Sequence, residues 1–467
     1  MLFHTPLFAL VLLAAIVGFS ITQGDARKWV LVVASVAFYA FGGPLDTALF
    51  AVLIVAVYYL SIKLAEKPSP RGLALILTLL FGNLAWFKYG DFFYDNLAAL
   101  LGFLDLPLTV SRPLLWLPLG ISFYTFQMAA YVIDIYRGVI APEKKLLTFV
   151  LFVIFFGQLV AGPIMRAQDF LPQLQKRLAT SYADVRAGAY LIMRGLIKKI
   201  VIADRLAVLV DARFGEMALL DHASAWVALY FFAFQVYFDF SGYTDMGVGL
   251  GRIFGLRLLP NFNTPYLAAN VAEFWRRWHI TLSTWLRDYL YIPLGGNRCS
   301  RRRRNFNLFL TMLLGGLWHG AAWTFVIWGA FQGLWLVLYR LWSEVVMRRY
   351  PAWDVPRWVN VLLTFHMQCL SYVFFRSEGL AGAWAMLRQV LDLTQVATWN
   401  AQIAYVGIVF LLFLLHLGEK YVDDHYRVLL ASWQGVPAPL RGVAYVLVSL
   451  LLILSFRPAQ PFIYFRF

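Results

Sequence analysis

Two histidines in this 467-residue sequence have the chemistry and the setting to move protons. His319 is the only titratable side chain of the apolar run LFLTMLLGGLWHGAAWTFVIWGAFQGLW, and His279 lies in EFWRRWHITLSTWLRDYLYIPLGGNR among Trp275, Trp278 and Trp285. An imidazole with the ordinary pKa of about 6.5 can accept a proton as a neutral ring near pH 7, which is what a general base must do. A histidine deep in apolar surroundings is costly without a purpose, and Gly315 and Gly316, one turn before His319, are expected to let polar atoms of a substrate come close. Bland roles stay open on these residues alone: His319 donating to a helix carbonyl, His279 satisfying a neighbour. The two are not at the i, i+4 spacing of a helical zinc pair, and no carboxylate stands at ligand spacing to them, so no metal centre is expected. No G-x-S-x-G elbow occurs, and Cys299 and Cys369 are too isolated for a disulfide or a metal site.

Two further clusters put polar groups where an apolar helix should not have them. GISFYTFQMAAYVIDIYRG carries Gln127, Tyr131, Asp134, Tyr136 and Arg137, with Asp134 and Arg137 spaced to pair on a helix. In YFDFSGYTDMGVGLGRIFG, Asp239, Ser241, Tyr243 and Asp245 are expected to interrupt a helix. The glycines that follow, Gly247, Gly249 and Gly251, lack the preceding strand and trailing Lys-Ser/Thr of a phosphate loop and read as close-packing positions between helices.

The elements that position these residues follow from composition. Hydrophobic residues make up 61% of the chain and charged ones 14%, against about 25% charge in a soluble domain, so a soluble fold is excluded. The 40 Lys and Arg exceed the 25 Asp and Glu by 15. These bases punctuate apolar runs, which points to the positive-inside rule and away from nucleic acid. Apolar stretches long enough, or nearly so, to cross a bilayer as helix are Trp29–Phe41, Ala48–Ile62, Gly72–Phe87, Pro113–Ile133, Leu146–Met165, His222–Phe238, Val359–Phe375, Ala401–Leu415 and Gly442–Phe456. Asn305–Tyr339 is long enough for two segments, or for a crossing and a re-entrant piece. Met1–Phe19 has an apolar core with no basic n-region ahead of that core, and reads as a first crossing, not a cleaved signal. With Arg27 and Lys28 cytoplasmic, the N-terminus faces outward. Amphipathic surface segments are expected near 166–205, where Arg186, Arg194, Lys198 and Lys199 interleave with apolar residues and the lysines would snorkel to phosphates, and near 270–304. The expected fold is a single all-α integral membrane domain spanning residues 1–467, with no internal repeat.

The chain resembles the membrane-bound O-acyltransferase superfamily, in its bacterial branch of alginate and other exopolysaccharide O-acetylation membrane subunits. The D-alanyl transfer protein of teichoic acid modification is a more distant relative. The motifs that carry the resemblance run through nearly the whole chain in family order: LVVASVAFYAFGGP, PLGISFYTFQMAAYVIDIYRG, FGQLVAGPIMR, GLIKKIVIAD, YFDFSGYTDMGVGLGRIFG, EFWRRWHITLSTWLRDYLYIPLGGNR, GGLWHGAAWTFVIWGAFQG, YVFFRS and the terminal FIYF. The resemblance implies about eleven crossings, with interfacial and re-entrant helices, around a central funnel. It places the family's W-H-G histidine on His319, as the catalytic residue, and the R-R-W-H histidine on His279. Candidates for lining the funnel or binding substrate are Trp318, Trp278, Asp239, Ser241, Tyr243, Asp245, Arg287, Asp288 and Gln127.

The expected activity is transfer of an acetyl group from a cytoplasmic thioester, acetyl-CoA or an acyl carrier protein, toward an extracytoplasmic polysaccharide. The resemblance implies a periplasmic acetyltransferase and a polysaccharide synthesis and export complex as partners, in the bacterial inner membrane. No bound cofactor is expected. Arg276, Arg277 and Arg301 to Arg304 are candidates to meet the donor's phosphates. A transporter or flippase for a lipid-linked sugar would suit many crossings and buried polar groups equally, and a scaffold that only recruits an acetyltransferase is a third reading.

Overall fold

A computed structural model describes residues 3–106, 112, 115–159, 162–347, 349, 355–456 and 462–463. The start of the Pro113–Ile133 stretch, Val160 and Ala161 in the Leu146–Met165 stretch, and half of the FIYF motif lie outside the described residues. In chain order the helices are α1 (Pro6–Ile21), α2 (Asp25–Ala40), α3 (Pro44–Glu66), α4 (Pro70–Phe103), α5 (Ile121–Tyr136), α6 (Leu146–Ile154), α7 (Phe156–Leu159), α8 (Ala167–Gln175), α9 (Tyr182–Leu196) and α10 (Asp204–Gly215). They continue with α11 (His222–Ile253), α12 (Val271–Arg277), α13 (Ile280–Leu286), α14 (Arg301–His319), α15 (Trp323–Trp342), α16 (Arg357–Arg376), α17 (Gly379–Leu391), α18 (Ile403–Asp424), α19 (Tyr426–Gly435) and α20 (Ala438–Ser455). No strand occurs among the described residues. An all-helical chain is what a bilayer selects, because each helix satisfies its own backbone. Proline in the first turn starts α1, α3, α4 and α20, where its missing N–H costs nothing.

Seven helices are long and apolar enough to cross a membrane, among the described residues: α3, α4, α11, α15 with its π-helical extension to Met347, α16, α18 with the turn before it, and α20. The shorter α1 is apolar too. Other expected crossings miss that standard for identifiable reasons: α2 opens on Asp25, Arg27 and Lys28, and α14 on four arginines. The Leu146–Met165 stretch is not one rod, because Phe155 leaves helical geometry and splits α6 from α7. Gln127 and Gln158 both donate to the Phe152 carbonyl near that break, Gln127 at 2.7 Å. Apolar side chains on α20 such as Leu450, Ile453 and Leu454 are exposed, and the helix buries none of its residues, as a lipid-facing helix should.

The chain forms two compact units, Met1–Arg194 with Tyr243–Pro260, and Gly195–Gly242 with Asn261–Phe467. In the first, Gly247 and Gly249 of α11 act as expected, while Gly251 faces Leu256 and Leu258 of the loop that follows its own helix. A methyl group added at Gly247 would lie 2.3 Å from the Gly157 carbonyl oxygen, and one at Gly249 would lie 2.7 Å from that of Gly188. Helices approach that closely only through small residues. In the second unit α14 and α15 form a hairpin across Gly320–Ala322, so Asn305–Tyr339 is indeed two segments.

Four local expectations are corrected. The helix does not break at Asp239: α11 runs on to Ile253, because Asp239 pairs with Lys199 at 2.9 Å and Asp245 with Arg194 at 2.7 Å, and neutralised carboxylates do not stop a helix. Lys198 and Lys199 do not snorkel. They sit on a π-helical turn, Ile197–Ala203, with 5% and 1% exposure, and pair with Glu419 and with Asp204 and Asp239. The third correction concerns α4, which continues past Lys88 to Phe103, with the Lys88 ammonium 3.3 Å from Ser122 Oγ. Finally, Gly316 gives no room to a substrate: a methyl there would meet the Phe325 carbonyl oxygen at 2.4 Å, so its smallness serves the α14–α15 contact.

Candidate active site

His319 ends α14, and its backbone is released into extended geometry at Gly320. The ring is 3% exposed. It is edge-on to three aromatic rings, Trp318 at 5.0 Å, Trp328 at 5.1 Å and Phe375 at 5.3 Å between centroids. Such contacts are each worth about 0.5–1.5 kcal/mol and fix a ring's tilt without occupying its nitrogens. Trp328 comes from α15 and Phe375 from α16, and Phe375 packs against Trp328 at 5.1 Å. Trp328 Nε1 is buried, with no hydrogen-bond partner among the described residues. A neighbouring indole shows the alternative: Trp275 Nε1 donates to Gln332 Oε1 at 3.2 Å. Gln332 in turn donates to Gln368 Oε1 at 3.1 Å and Ser371 Oγ at 3.0 Å, a buried polar ladder one turn along α15 from Trp328.

His279 is not on a continuous helix with Trp275, Arg276 and Ser283. Helix α12 ends at Arg277, α13 begins at Ile280, and His279 sits between them with φ 41° and ψ 56°. That left-handed conformation is uncommon for a residue with a Cβ. The ring is 0% exposed, edge-on to Phe240 at 4.7 Å and to Trp318 at 6.0 Å. The two histidines therefore share contact with one indole, within the second unit. His279 lies outside the long apolar helices. Burial, opposed by the residue's own backbone hydrogen bond, pushes its pKa down to about 3. The ring is thus neutral at physiological pH and titrates only in strong acid.

A depressed histidine pKa makes stability rise with pH. The unfolded chain, with an ordinary value near 6.5, binds the proton first, so stability is complete above about pH 6.5 and is lost as pH falls toward 3. The melting temperature of the detergent-solubilised protein is expected to fall between pH 7 and pH 4.5, and to fall less in His279→Gln. An equal fall in both would show that His279 does not contribute to the acid limb.

The remaining candidates divide by unit. In the second, Asp239 accepts from Lys199 and, through its other oxygen, from the Ile463 N–H at 2.8 Å. Ser241 is buried, and its Oγ has no hydrogen-bond partner among the described residues. Trp278 stacks on Phe274 at 5.6 Å. Arg287 and Asp288 pair with each other at 2.7 Å, the arginine side chain 60% exposed. In the first unit, Tyr243 Oη meets His4 Nδ1 at 3.1 Å, Asp245 holds Arg194, and Gln127 serves the Phe152 carbonyl. Among the basic candidates, Arg277 is tied to Glu273 at 2.9 Å, one helical turn away, while Arg301 and Arg304 pair with Glu344. Burial raises the Glu273 carboxyl, but hydrogen bonds from Arg357, the Ala269 N–H and Arg277 outweigh it and hold the group down at about 2. Arg276, Arg302 and Arg303 are exposed.

Sequence reasoning passed over Trp328, Phe375, Gln332 and a third buried histidine, His416. In His416, Nε2 accepts the Tyr266 N–H at 3.3 Å, so Nδ1 carries the proton and donates to Glu419 Oε2 at 3.3 Å. With both nitrogens committed, its role is structural. The signal for His416 and Glu419 was their i, i+3 spacing in α18. Trp328 was signalled by Gly329, which a close helix contact would place beside α14.

A family model described as the membrane-bound O-acyltransferase family matches residues 142–377, a stretch that contains both histidines. The chain is 36% identical to the probable alginate O-acetylase of Pseudomonas putida, over 100% of each chain. It is 37% identical to the peptidoglycan O-acetyltransferase of Helicobacter pylori, over 85% of this chain and 81% of that one. The teichoic acid D-alanyltransferase of Bacillus subtilis is 28% identical, over 56% of this chain and 69% of its own length.

Proposed function

Since this chain belongs to the membrane-bound O-acyltransferase family, we propose that it carries an acetyl group from a cytoplasmic thioester toward a polysaccharide outside the membrane, with His319 as general base. As a member it is a multi-pass membrane O-acyltransferase. The observation that carries the finer reading is the shared indole: two buried histidines from separate segments contact Trp318.

His319 takes the proton of an acceptor hydroxyl as the oxygen attacks the thioester carbonyl. The C–O bond forms, the tetrahedral intermediate collapses with loss of the C–S bond, and the imidazolium returns its proton to the departing thiolate. Trp328 Nε1–H, a buried donor beside His319, is suited to the carbonyl oxygen as negative charge develops there. His279, neutral in its site, orients donor or acceptor. The exposed Arg276, Arg302 and Arg303 are placed to meet donor phosphates on the cytoplasmic face of the inner membrane, and the N-terminus is periplasmic. The acceptor is a hydroxyl of an envelope polymer, of the class for which the alginate and peptidoglycan relatives are named, or of a periplasmic acetyltransferase that relays the group.

Proteoliposomes of defined orientation test direction. Labelled acetyl-CoA supplied to the face bearing the 301–304 arginines is expected to release free thiol and pass label to acceptor on the other face. Label appearing only on the donor side would overturn vectorial transfer.

A further inference from the structure

We infer that Asn261 is a positioning residue that holds His279 in its left-handed conformation, an assignment that rests on His279 belonging to the acyl-transfer site. Left-handed geometry is unfavourable for a residue with a Cβ, and persists only where the surroundings over-determine it. Here they do. The chain on both sides of His279 is pinned to the strip 261–263: Asn263 N–H donates to the Arg277 carbonyl at 2.9 Å, and Ile280 N–H donates to the Asn261 carbonyl at 2.9 Å. The Asn261 side chain completes the clamp, its Oδ1 accepting from Thr281 N–H at 3.2 Å and Thr281 Oγ1–H at 2.7 Å. Asn261 thus takes the two peptide N–H groups that follow His279, one through its backbone and one through its side chain, and it is 0% exposed.

The residue type fits the task. Two donors converge on one short acceptor, which an amide or carboxylate oxygen provides and a methyl does not. Asn261 Nδ2 has no hydrogen-bond partner among the described residues, so an aspartate would keep every hydrogen bond that the asparagine makes. Without Oδ1 the turn can relax toward ordinary backbone geometry and carry the imidazole with it. A displacement of about 1 Å can cost about 10²-fold in rate.

The test is thiol release from acetyl-CoA in proteoliposomes, with melting temperatures to verify folding. Asn261→Ala is expected to lower kcat by about 10–100-fold with KM little changed. Asn261→Asp is expected to remain within a few-fold of wild type, and Asn261→Ala added to His279→Ala should cost nothing more. Asn261→Ser, whose hydroxyl is too short to serve both Thr281 donors, carries the test if the alanine variant does not accumulate, with an intermediate kcat expected. A folded Asn261→Ala or Asn261→Ser at wild-type kcat, beside an impaired His279→Ala, overturns the positioning role and leaves His279 in the site. A further loss on the His279→Ala background also overturns it, since Asn261 would then act elsewhere. If His279→Ala itself keeps wild-type kcat, both assignments fall.

Discussion

His319→Ala is expected to lower acyl transfer by about 10²–10⁴-fold, the range that general-base assistance supplies, in a protein that still folds and inserts. The substitution removes three edge-on ring contacts but leaves two of the partners packed on each other, Trp328 on Phe375 at 5.1 Å, with Phe375 also held by Phe325 at 5.1 Å. The fold should therefore lose a few kcal/mol, within the spread of buried large-to-small changes, and not its architecture. The measurement is thiol release from acetyl-CoA in proteoliposomes, beside a melting curve. The expected pattern is a small shift in melting and a near-complete loss of turnover at every acetyl-CoA concentration, since a base lost from the transition state lowers kcat. A folded variant turning over at the wild-type rate would remove His319 from the mechanism.

The second large effect is on stability. Asp239→Ala is expected to destabilise the protein by about 3–5 kcal/mol, because it breaks a buried ion pair and leaves its partner charge under-compensated. Lys199 is 1% exposed and would lose one of the two carboxylates it pairs with, keeping Asp204, while the Ile463 N–H would lose its acceptor. Lys199→Met alone would strand Asp204 and Asp239 together, so adding Asp239→Leu to it is expected to cost less than Lys199→Met by itself, because one fewer buried carboxylate is left without its cation. Melting temperatures and the amount of protein reaching the membrane report the ranking. If the double variant is the least stable, the charges matter through something other than their pairing.

The sequence exposed much of the site because polar groups are scarce in so apolar a chain. His319 announced itself as one titratable residue in a long apolar run, and His279 by its tryptophans. The apolar stretches Ala48–Ile62 and Gly72–Phe87 fell inside their helices but missed the ends, because a helix runs on past its apolar core to a proline start, at Pro44 and Pro70. Lys198 and Lys199 were misread because an amphipathic pattern does not say what a base faces, and Glu419 lies more than two hundred residues away along the chain. Asp239 and Asp245 resembled helix stops for the same reason: their partners Lys199 and Arg194 are distant in sequence. Asn261 left no trace, since its part depends on a backbone angle at another residue. The glycines beside His319 were visible, but whether they admit a substrate or a neighbouring helix is decided by packing alone.

The α14–α15 hairpin also bears on how the chain enters a bilayer. Helix α14, with four arginines at its start and a histidine at its end, is a poor signal for the insertion machinery taken alone. Its partner α15 qualifies by length and hydropathy. Only Gly320 to Ala322 join them, and Glu344, just beyond α15, binds Arg301, Arg304 and Arg340. Folded together, the two helices present one apolar body with its charges gathered and partly neutralised at a single end. Inserted as such a unit, the hairpin would fix the depth of His319 through α15, with α14 the passenger of its neighbour.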